Sequence, residues 1–322
     1  MYAMDVILPV YRPDERFYRL LCALKKQTMP VNRIIVYNTE KQYYDEFAKK
    51  YRIERKFPEI MVYHHGRKEF DHGGTRNLAV QKSDAPYFVM MTMDAVPADE
   101  KLLEELYWAL SDEKAAVAYA RQLPGKDSGG IERYTRAFNY PPQSEFKTKE
   151  DLNRLGIKTF FCSNVCAAYK RAVFDELGGF LERAIFNEDM VYAWKVIQAG
   201  YGISYAAGAR VVHSHDYSVS QQFHRNFDIG VSQAEHPEVF GSTRSESEGL
   251  RLVSGTVRYL IAKRQIGEIP KLFVMSAAKF AGYRLGKIYH RLPRRIVLKC
   301  TMNREYFLKT QEDTTSCGSE QK

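Results

Sequence analysis

Met4-Asp5-Val6-Ile7-Leu8-Pro9-Val10 is a short, almost wholly apolar run, and Phe17, Leu20, Leu21 and Leu24 follow it at i, i+3, i+4 and i+7. The run reads as a buried strand and the spacing after it as one face of a helix. The same alternation recurs down the chain. Residues 34–37, 60–63 and 87–91 are β-rich, and Leu102, Leu103, Leu106, Tyr107 and Leu110 mark another helix after Pro97. A βαβαβαβα order implies an α/β fold, a mostly parallel sheet with helices on both faces.

Farther along, the pattern changes. Between residues 124 and 158 the apolar period disappears, leaving Gly, Pro, Ser and charge with Tyr134, Phe138 and Tyr140 scattered among them. A connection this long without structure of its own is either mobile or functional, and here it is expected to close over a bound ligand with its aromatics as stacking surfaces. Residues 160–168 then read as a strand, 171–177 as a short helix stopped by Gly178-Gly179, and 202–205 and 210–213 as the last strands. From Gln221 onward the reading is helical. The expected organisation is a catalytic domain over 1–220, a basic helical region over 221–310 and a disordered polar tail over 311–322.

Hydrophobic residues make up 45% and charged residues 27% of the 322, with 22 Tyr and 18 Phe, which excludes general disorder and leaves room for a large core. No stretch approaches 18 uninterrupted apolar residues, since Lys279 breaks the most apolar late segment, so no membrane span is expected. No secretory signal is evident at the start. Five cysteines without a C-x-x-C pair, two of them, Cys162 and Cys166, in an apolar segment, point to a reducing cytoplasm and away from structural zinc. The net charge of +9 is a C-terminal property: residues 258–309 hold thirteen Lys and Arg against Glu268 and Glu305. Apolar Leu272, Phe273, Phe280, Leu285 and Ile288 interleave with those cations, a pattern suited to helices lying on an anionic inner membrane surface. The plainer alternative is a solvated basic face packed by its apolar side.

The candidate chemistry begins at Phe186-Asn187-Glu188-Asp189-Met190, with Ala193, Trp194 and Ile197 at helical spacing behind it. Two adjacent carboxylates at a helix mouth are ordinary capping groups when alone. Their company makes them more. Asp94 lies just past the C-terminal end of a strand, the edge where open α/β sheets bind ligands, and a carboxylate there can hold Mg²⁺ or Mn²⁺ or simply form a turn. The turn Phe70-Asp71-His72-Gly73-Gly74-Thr75-Arg76-Asn77 opens a helix; its glycines would let backbone N–H groups approach a phosphate, with Arg76 as a forked donor. It matches neither the Walker nor the dinucleotide spacing and also fits a plain loop-to-helix turn. His213 and His215 share a face if their strand persists, as a ligand pair or as one ligand beside one structural histidine.

The ordered series of these elements resembles the inverting nucleotide-sugar glycosyltransferases of family 2, and most of all their bacterial rhamnosyltransferase branch. It runs from Val6-Ile7-Leu8-Pro9-Val10-Tyr11 through FDHGGTRN at 70–77, TMDA at 92–95, AAYKRAVFDELGGF at 167–180, NED at 187–189 and AGYGISY at 199–205 to VVHSHDYS at 211–218. The resemblance implies the GT-A nucleotide-diphospho-sugar transferase fold with a helical C-terminal region. It implies that Asp94 stands at the family's acidic metal motif, completed by His213 or His215, and that Asp189 is the catalytic base with Glu188 as acceptor contact or structural partner. Pro9, Tyr11 and Glu15 fall in the loop that meets the nucleotide, and Asp71 and Arg76 where base or diphosphate contacts are expected. Two departures stand out. Only one Asp remains in the metal motif, and Tyr37-Asn38-Thr39-Glu40 replaces the pyrimidine-reading Asp of many relatives.

The expected protein is therefore an inverting glycosyltransferase that uses a divalent cation, Mg²⁺ or Mn²⁺, and moves L-rhamnose from dTDP-L-rhamnose, or another sugar from a UDP-sugar, to a bacterial surface polysaccharide or its lipid-linked precursor. It would work in the cytoplasm, peripherally bound to the inner face of the cell membrane. The competing readings are a catalytically inactive sugar-nucleotide or glycan-binding subunit, suggested by the lone Asp94, and a nucleic-acid-binding protein, suggested by the basic end but unsupported by any nucleic-acid module.

Overall fold

A computed structural model describes residues 4–214, 217–241 and 246–308. His215 and the expected tail at 311–322 lie outside the described residues. Among the described residues nine strands form one sheet: β1 (Met4–Tyr11), β2 (Arg33–Thr39), β3 (Ile60–His65), β4 (Tyr87–Met91), β5 (Val96–Pro97), β6 (Ala115–Leu123), β7 (Glu145–Lys147), β8 (Cys166–Lys170) and β9 (Gly202–Val212). Their order is β3-β2-β1-β4-β8-β6-β9-β5, with β7 also on β9. The first four strands are parallel, as the βα alternation requires, and β6 and β9 are parallel to each other. Between these two blocks β8 runs antiparallel to both β4 and β6, so its starting end reaches the edge where its neighbours finish.

The unbroken apolar runs are explained by burial on both faces. Val6, Leu8 and Val10 of β1 pack into the core on one side of the sheet with Ile34, Val36, Val89 and Met91, while Ile7 joins Ile35, Phe88 and Met90 on the other. Cys162 and Cys166 are buried free thiols, Cys166 in the first of these cores and Cys162 in the second.

Three segments differ from the sequence reading. Residues 160–165 do not join a strand, because Lys147 Nζ, buried, donates to the carbonyls of Lys158 at 3.0 Å and Phe161 at 2.6 Å and turns the chain before β8 begins. The two last strands predicted at 202–205 and 210–213 are one strand with a register shift opposite Ala120 and Arg121, and it ends at Val212. The 124–158 connection has its own structure, the helix Gly130–Asn139 and strand β7. Its periodicity is hidden because the helix is only half buried and docks through tyrosines: Tyr134 lies 5.4 Å from Tyr259 on the helix Glu246–Ala262. Glu268 also caps it, accepting from Gly130 N at 3.0 Å.

The C-terminal helices pack tightly on one another and onto the sheet-bearing part of the chain. Val219–Glu235 and Ile269–Lys287 approach so closely that a Cβ on Gly282 would fall 2.2 Å from the Phe223 carbonyl and one on Gly286 2.1 Å from that of Phe227. Phe227 and Val231 share a small core with Ile185 and Val297. Ser232 Oγ donates to the Phe186 carbonyl at 2.7 Å and accepts from Asn187 Nδ2 at 3.2 Å, so the loop entering Glu188 rests on the C-terminal region. Among the described residues no helix is long and apolar enough to cross a membrane.

Candidate active site

The C-terminal ends of β4, β6 and β9 and the starting end of β8 meet at one edge, and the sequence places a polar residue at each: Asp94 after β4, Gln122 in β6, His213 after β9 and Asn164 before β8. His213 Nε2 lies 3.6 Å from Asp94 Oδ1. Its Nδ1 lies 3.1 Å from Gln122 Oε1. Gln122 is itself oriented, its Nε2 donating to Tyr140 Oη at 2.5 Å and Ser163 Oγ at 3.1 Å, while Arg136 Nη1 donates to its Oε1. An amide oxygen can only accept, so Nδ1 carries the proton and Nε2 turns its lone pair toward Asp94. Arg136 Nη2 stands farther from the same Nδ1, at 3.5 Å.

A neutral imidazole nitrogen beside a carboxylate, with its other nitrogen hydrogen-bonded, is the donor set of a divalent-cation site with its outer shell in place. Among the described residues no group of three or more His, Cys, Asp or Glu could hold a metal, so this pair would leave the remaining positions to water and substrate oxygens, as Mg²⁺ prefers. The residues fit such an ion. Arg16, at the start of the chain's first helix, is near enough to Asp94 to feel its charge, though Asp14 holds it more strongly.

The second half of the site begins one residue past Ser163. Asn164 donates its backbone N–H to Asp189 Oδ2 at 3.0 Å and its side-chain Nδ2 to Glu188 Oε1 at 3.1 Å, and Tyr169 Oη donates to its Oδ1 at 2.7 Å. Asn187 takes a left-handed φ of 61°, which Asn tolerates better than most residues, and sets both carboxylates in the first turn of the helix Glu188–Gln198. Glu188 Oε1 also lies 3.3 Å from Arg76 Nη1 in a buried ion pair. Burial works against ionising Glu188, but Arg76, with help from His72 and Asn164, overcomes it and holds the carboxyl below its ordinary range. For Asp189 burial comes first and the charge of Glu188 second, and together they push its carboxyl up to about 7. Asp189 keeps part of its surface open, unlike Glu188. Two neighbouring acids are thus driven apart, one locked as an anion and one poised near neutrality.

Several predicted contacts have other work. Asp71 caps a helix, its Oδ2 accepting from Gly74 N at 2.6 Å and Arg183 N at 2.9 Å. Gly73 is there for close approach: a Cβ would fall 1.7 Å from the Leu181 carbonyl. Arg76 donates to the His72 carbonyl at 2.6 Å and pairs with Glu188, while its buried Nε has no hydrogen-bond partner among the described residues. Glu15 is exposed and paired with Arg19 at 2.5 Å. Pro9 and Tyr11 close β1 at the ligand edge, Tyr11 standing edge-on to Tyr43 with Arg12 over both rings. Asn38 is buried, and its Oδ1 has no hydrogen-bond partner among the described residues. Gln122, Ser163 and Asn164 were not anticipated, although a polar pair interrupting the apolar run 160–168 is visible in the sequence.

Residues 5–178 match the model of glycosyl transferase family 2. The chain is 38% identical to the O-antigen chain rhamnosyltransferase RfbN of Salmonella typhimurium, over 96% of this chain and 97% of that protein. It is 40% identical to the O-antigen chain rhamnosyltransferase WbaN of Salmonella anatum, over 76% of this chain and 78% of that one. The fold matches that of the mannosyltransferase PcManGT from Pyrobaculum calidifontis, solved with GDP-Man and Mn²⁺, with a TM-score of 0.61 at 14% identity over 90% of this chain and 88% of the other.

Proposed function

Because the chain belongs to glycosyl transferase family 2, we propose that this glycosyltransferase moves L-rhamnose from dTDP-L-rhamnose to a growing surface polysaccharide or its lipid-linked precursor, with inversion at the anomeric carbon. The observation that carries the mechanism is the divided carboxylate pair. Asp189, partly exposed and titrating near 7, takes the proton of the acceptor hydroxyl as that oxygen attacks the anomeric carbon in line with the departing diphosphate. Glu188, kept ionised by Arg76, holds Asp189 basic and does not itself move a proton. Asp94 and His213 would hold Mg²⁺ or Mn²⁺, which would offset the charge of the departing diphosphate. Arg76 contributes through Glu188 rather than at the leaving group. A carboxylate tuned in this way speaks against a merely binding subunit.

The Gly130–Asn139 helix touches the site through Arg136, and Glu132 accepts from Ser214 Oγ at 2.7 Å, so the 124–158 segment is proposed to shape the substrate pocket. Membrane association is supported by exposed Phe273, Val274 and Phe280 on a helix that also carries exposed Lys271 and Arg284. Such a face suits an anionic cytoplasmic leaflet and would hold the enzyme beside a lipid-linked acceptor.

The test is a thermal-shift panel of nucleotide sugars with and without Mn²⁺. A ligand at 100 times its Kd stabilises by about 2.7 kcal/mol, so dTDP-L-rhamnose should give the largest shift and lose much of it in chelator. A larger shift from GDP-mannose or UDP-GlcNAc would overturn the donor.

A further inference from the structure

The helix that carries Glu188 and Asp189 starts in an uncommon way. A residue just before a helix normally has an extended backbone and turns its own side chain onto the first unpaired N–H groups. Asn187 does neither: its backbone is left-handed, with φ 61° and ψ 23°, and its side chain caps none of those groups. Its Nδ2 donates instead to Ser232 Oγ at 3.2 Å, and the same hydroxyl donates to the Phe186 carbonyl at 2.7 Å. One buried hydroxyl thus holds both the peptide plane that enters Asn187 and the Asn187 side chain. A left-handed residue next to the reacting groups is a conformation that the surrounding structure must impose.

Those surroundings are clamped from two sides. Ser232 lies on the helix Val219–Glu235, two residues past Gly230, where a Cβ would fall 2.4 Å from the Tyr283 carbonyl. On the same helix Asp228 accepts from Thr301 Oγ1 at 2.6 Å and Met302 N at 3.0 Å, and Glu235 accepts from Tyr289 Oη at 2.9 Å and Tyr306 Oη at 2.7 Å. The hydroxyl can therefore move only with the helix that carries it. Across the loop, Asn164 meets Asp189 at 3.0 Å and Glu188 at 3.1 Å, contacts that need both carboxylates to leave Asn187 in the direction its left-handed backbone sets. We propose that Ser232 is a positioning residue for the catalytic base: by fixing the left-handed turn at Asn187, it holds Asp189 and Glu188 against Asn164. The inference rests on the role proposed for Asp189. Without the hydroxyl, Asn187 relaxes toward the usual extended cap and the carboxylates turn away from Asn164 toward water.

Two measurements on the full chain read this: transfer kinetics with the donor that the thermal-shift panel selects, and an NMR titration of the Asp189 carboxyl carbon, which needs neither donor nor acceptor. Ser232→Ala should lower kcat by about tenfold to a hundredfold while the donor KM stays within about twofold, as a misplaced reacting group does. The Asp189 midpoint, about 7 in the parent, should fall toward the ordinary carboxylate range, because burial and the Glu188 charge are its two largest causes and both are lost. Besides Glu188 and Arg76, the titratable neighbours of Asp189 are Cys162, Tyr140 and Tyr169, all pushed up by burial and so neutral across this range. Glycine takes a left-handed backbone without strain, so Asn187→Gly should keep more of the rate than Asn187→Ala; lost packing alone would give the reverse order. Should Ser232→Ala fold poorly, that pair decides alone. A lower melting temperature by itself is what a merely structural hydroxyl would give. A Ser232→Ala protein within about twofold of the parent in kcat, an Asp189 that still titrates near 7 in it, or an Asn187→Gly protein slower than Asn187→Ala overturns the proposal. The base role can fail separately, through near-normal turnover of Asp189→Asn, and the carboxyl titration would still read the positioning.

Discussion

The two acidic centres at the sheet edge are built in opposite ways. Glu188 and Asp189 are self-contained: Asn164 reaches both carboxylates, Arg76 neutralises one, and the other is left near neutrality by burial and by its neighbour's charge. Asp94 faces a histidine lone pair, and its surroundings, Gln122 and through it Ser163 and Tyr140, orient rather than neutralise. One centre is finished and tuned, and the other, on the function proposed above, is arranged for a cation that arrives with the substrate. The Gln122–Ser163 hydrogen bond stitches them together, one residue from Asn164.

The finished centre breaks most visibly. Asp189→Asn keeps the shape and loses the base, so transfer should fall by about 10²–10⁴ while donor affinity stays within a few fold, measured with a competent acceptor and by calorimetry. Stability should move the other way. Asp189 titrates near 7 when folded against roughly 3.9 unfolded, so its contribution is fully present below the unfolded value and is lost as pH rises through about 7. The amide does not suffer that loss. Asp189→Asn should therefore melt higher than the parent at pH 8 and show no such advantage at pH 4; equal melting curves at both would mean that Asp189 is not held protonated by its site.

The arranged centre should respond through metal. Asp94→Ala is expected to abolish the strengthening of dTDP binding by Mn²⁺, leaving the affinity in chelator unchanged; equal affinities in Mn²⁺ and chelator for the parent would remove the metal from this edge. Gln122→Leu takes away the acceptor that fixes the His213 tautomer, a change that typically costs 10–100-fold in metal affinity, and the Mn²⁺ titration of dTDP binding should shift by that amount. A Gln122→Leu protein with parental Mn²⁺ dependence would make Gln122 a packing residue only.

What was legible in the sequence follows the same division. The parallel block was readable because residues 4–10 and 87–91 are apolar on both faces and each run is followed by helical spacing. Asp94 and the Glu188-Asp189 pair were readable because they sit at the ends of such elements. Gln122 and Asn164 were not, since a polar residue in a strand or before one acquires meaning only when an antiparallel β8 brings its starting end to the edge. The partner of Arg76 was hidden for a related reason: its glycine turn suggests a phosphate cradle, whereas the fold presses Gly73 onto the Leu181 carbonyl and turns the guanidinium to Glu188. The tight helix pair at Gly230, Gly282 and Gly286 lay beyond periodicity altogether, because it depends on which helices meet.

The subtlest expected effect concerns how much of the tuning belongs to Glu188 itself. Burial is the larger cause of the raised Asp189 carboxyl and the Glu188 charge the next. Glu188→Gln keeps the shape and the hydrogen bond from Asn164 but removes the negative neighbour, so the charged form of Asp189 becomes easier to reach. Arg76, released from its partner, acts in the same direction. Because transfer requires the carboxylate, the acid limb of kcat/KM, expected near 7 in the parent, should move to lower pH, with the plateau rate reduced far less than in Asp189→Asn. The fold should also weaken, by about 3 kcal/mol, since a buried guanidinium is left unpaired. A limb that stays where it is while the protein is destabilised would assign the tuning of Asp189 to burial alone and reduce Glu188 to the anchor of Arg76.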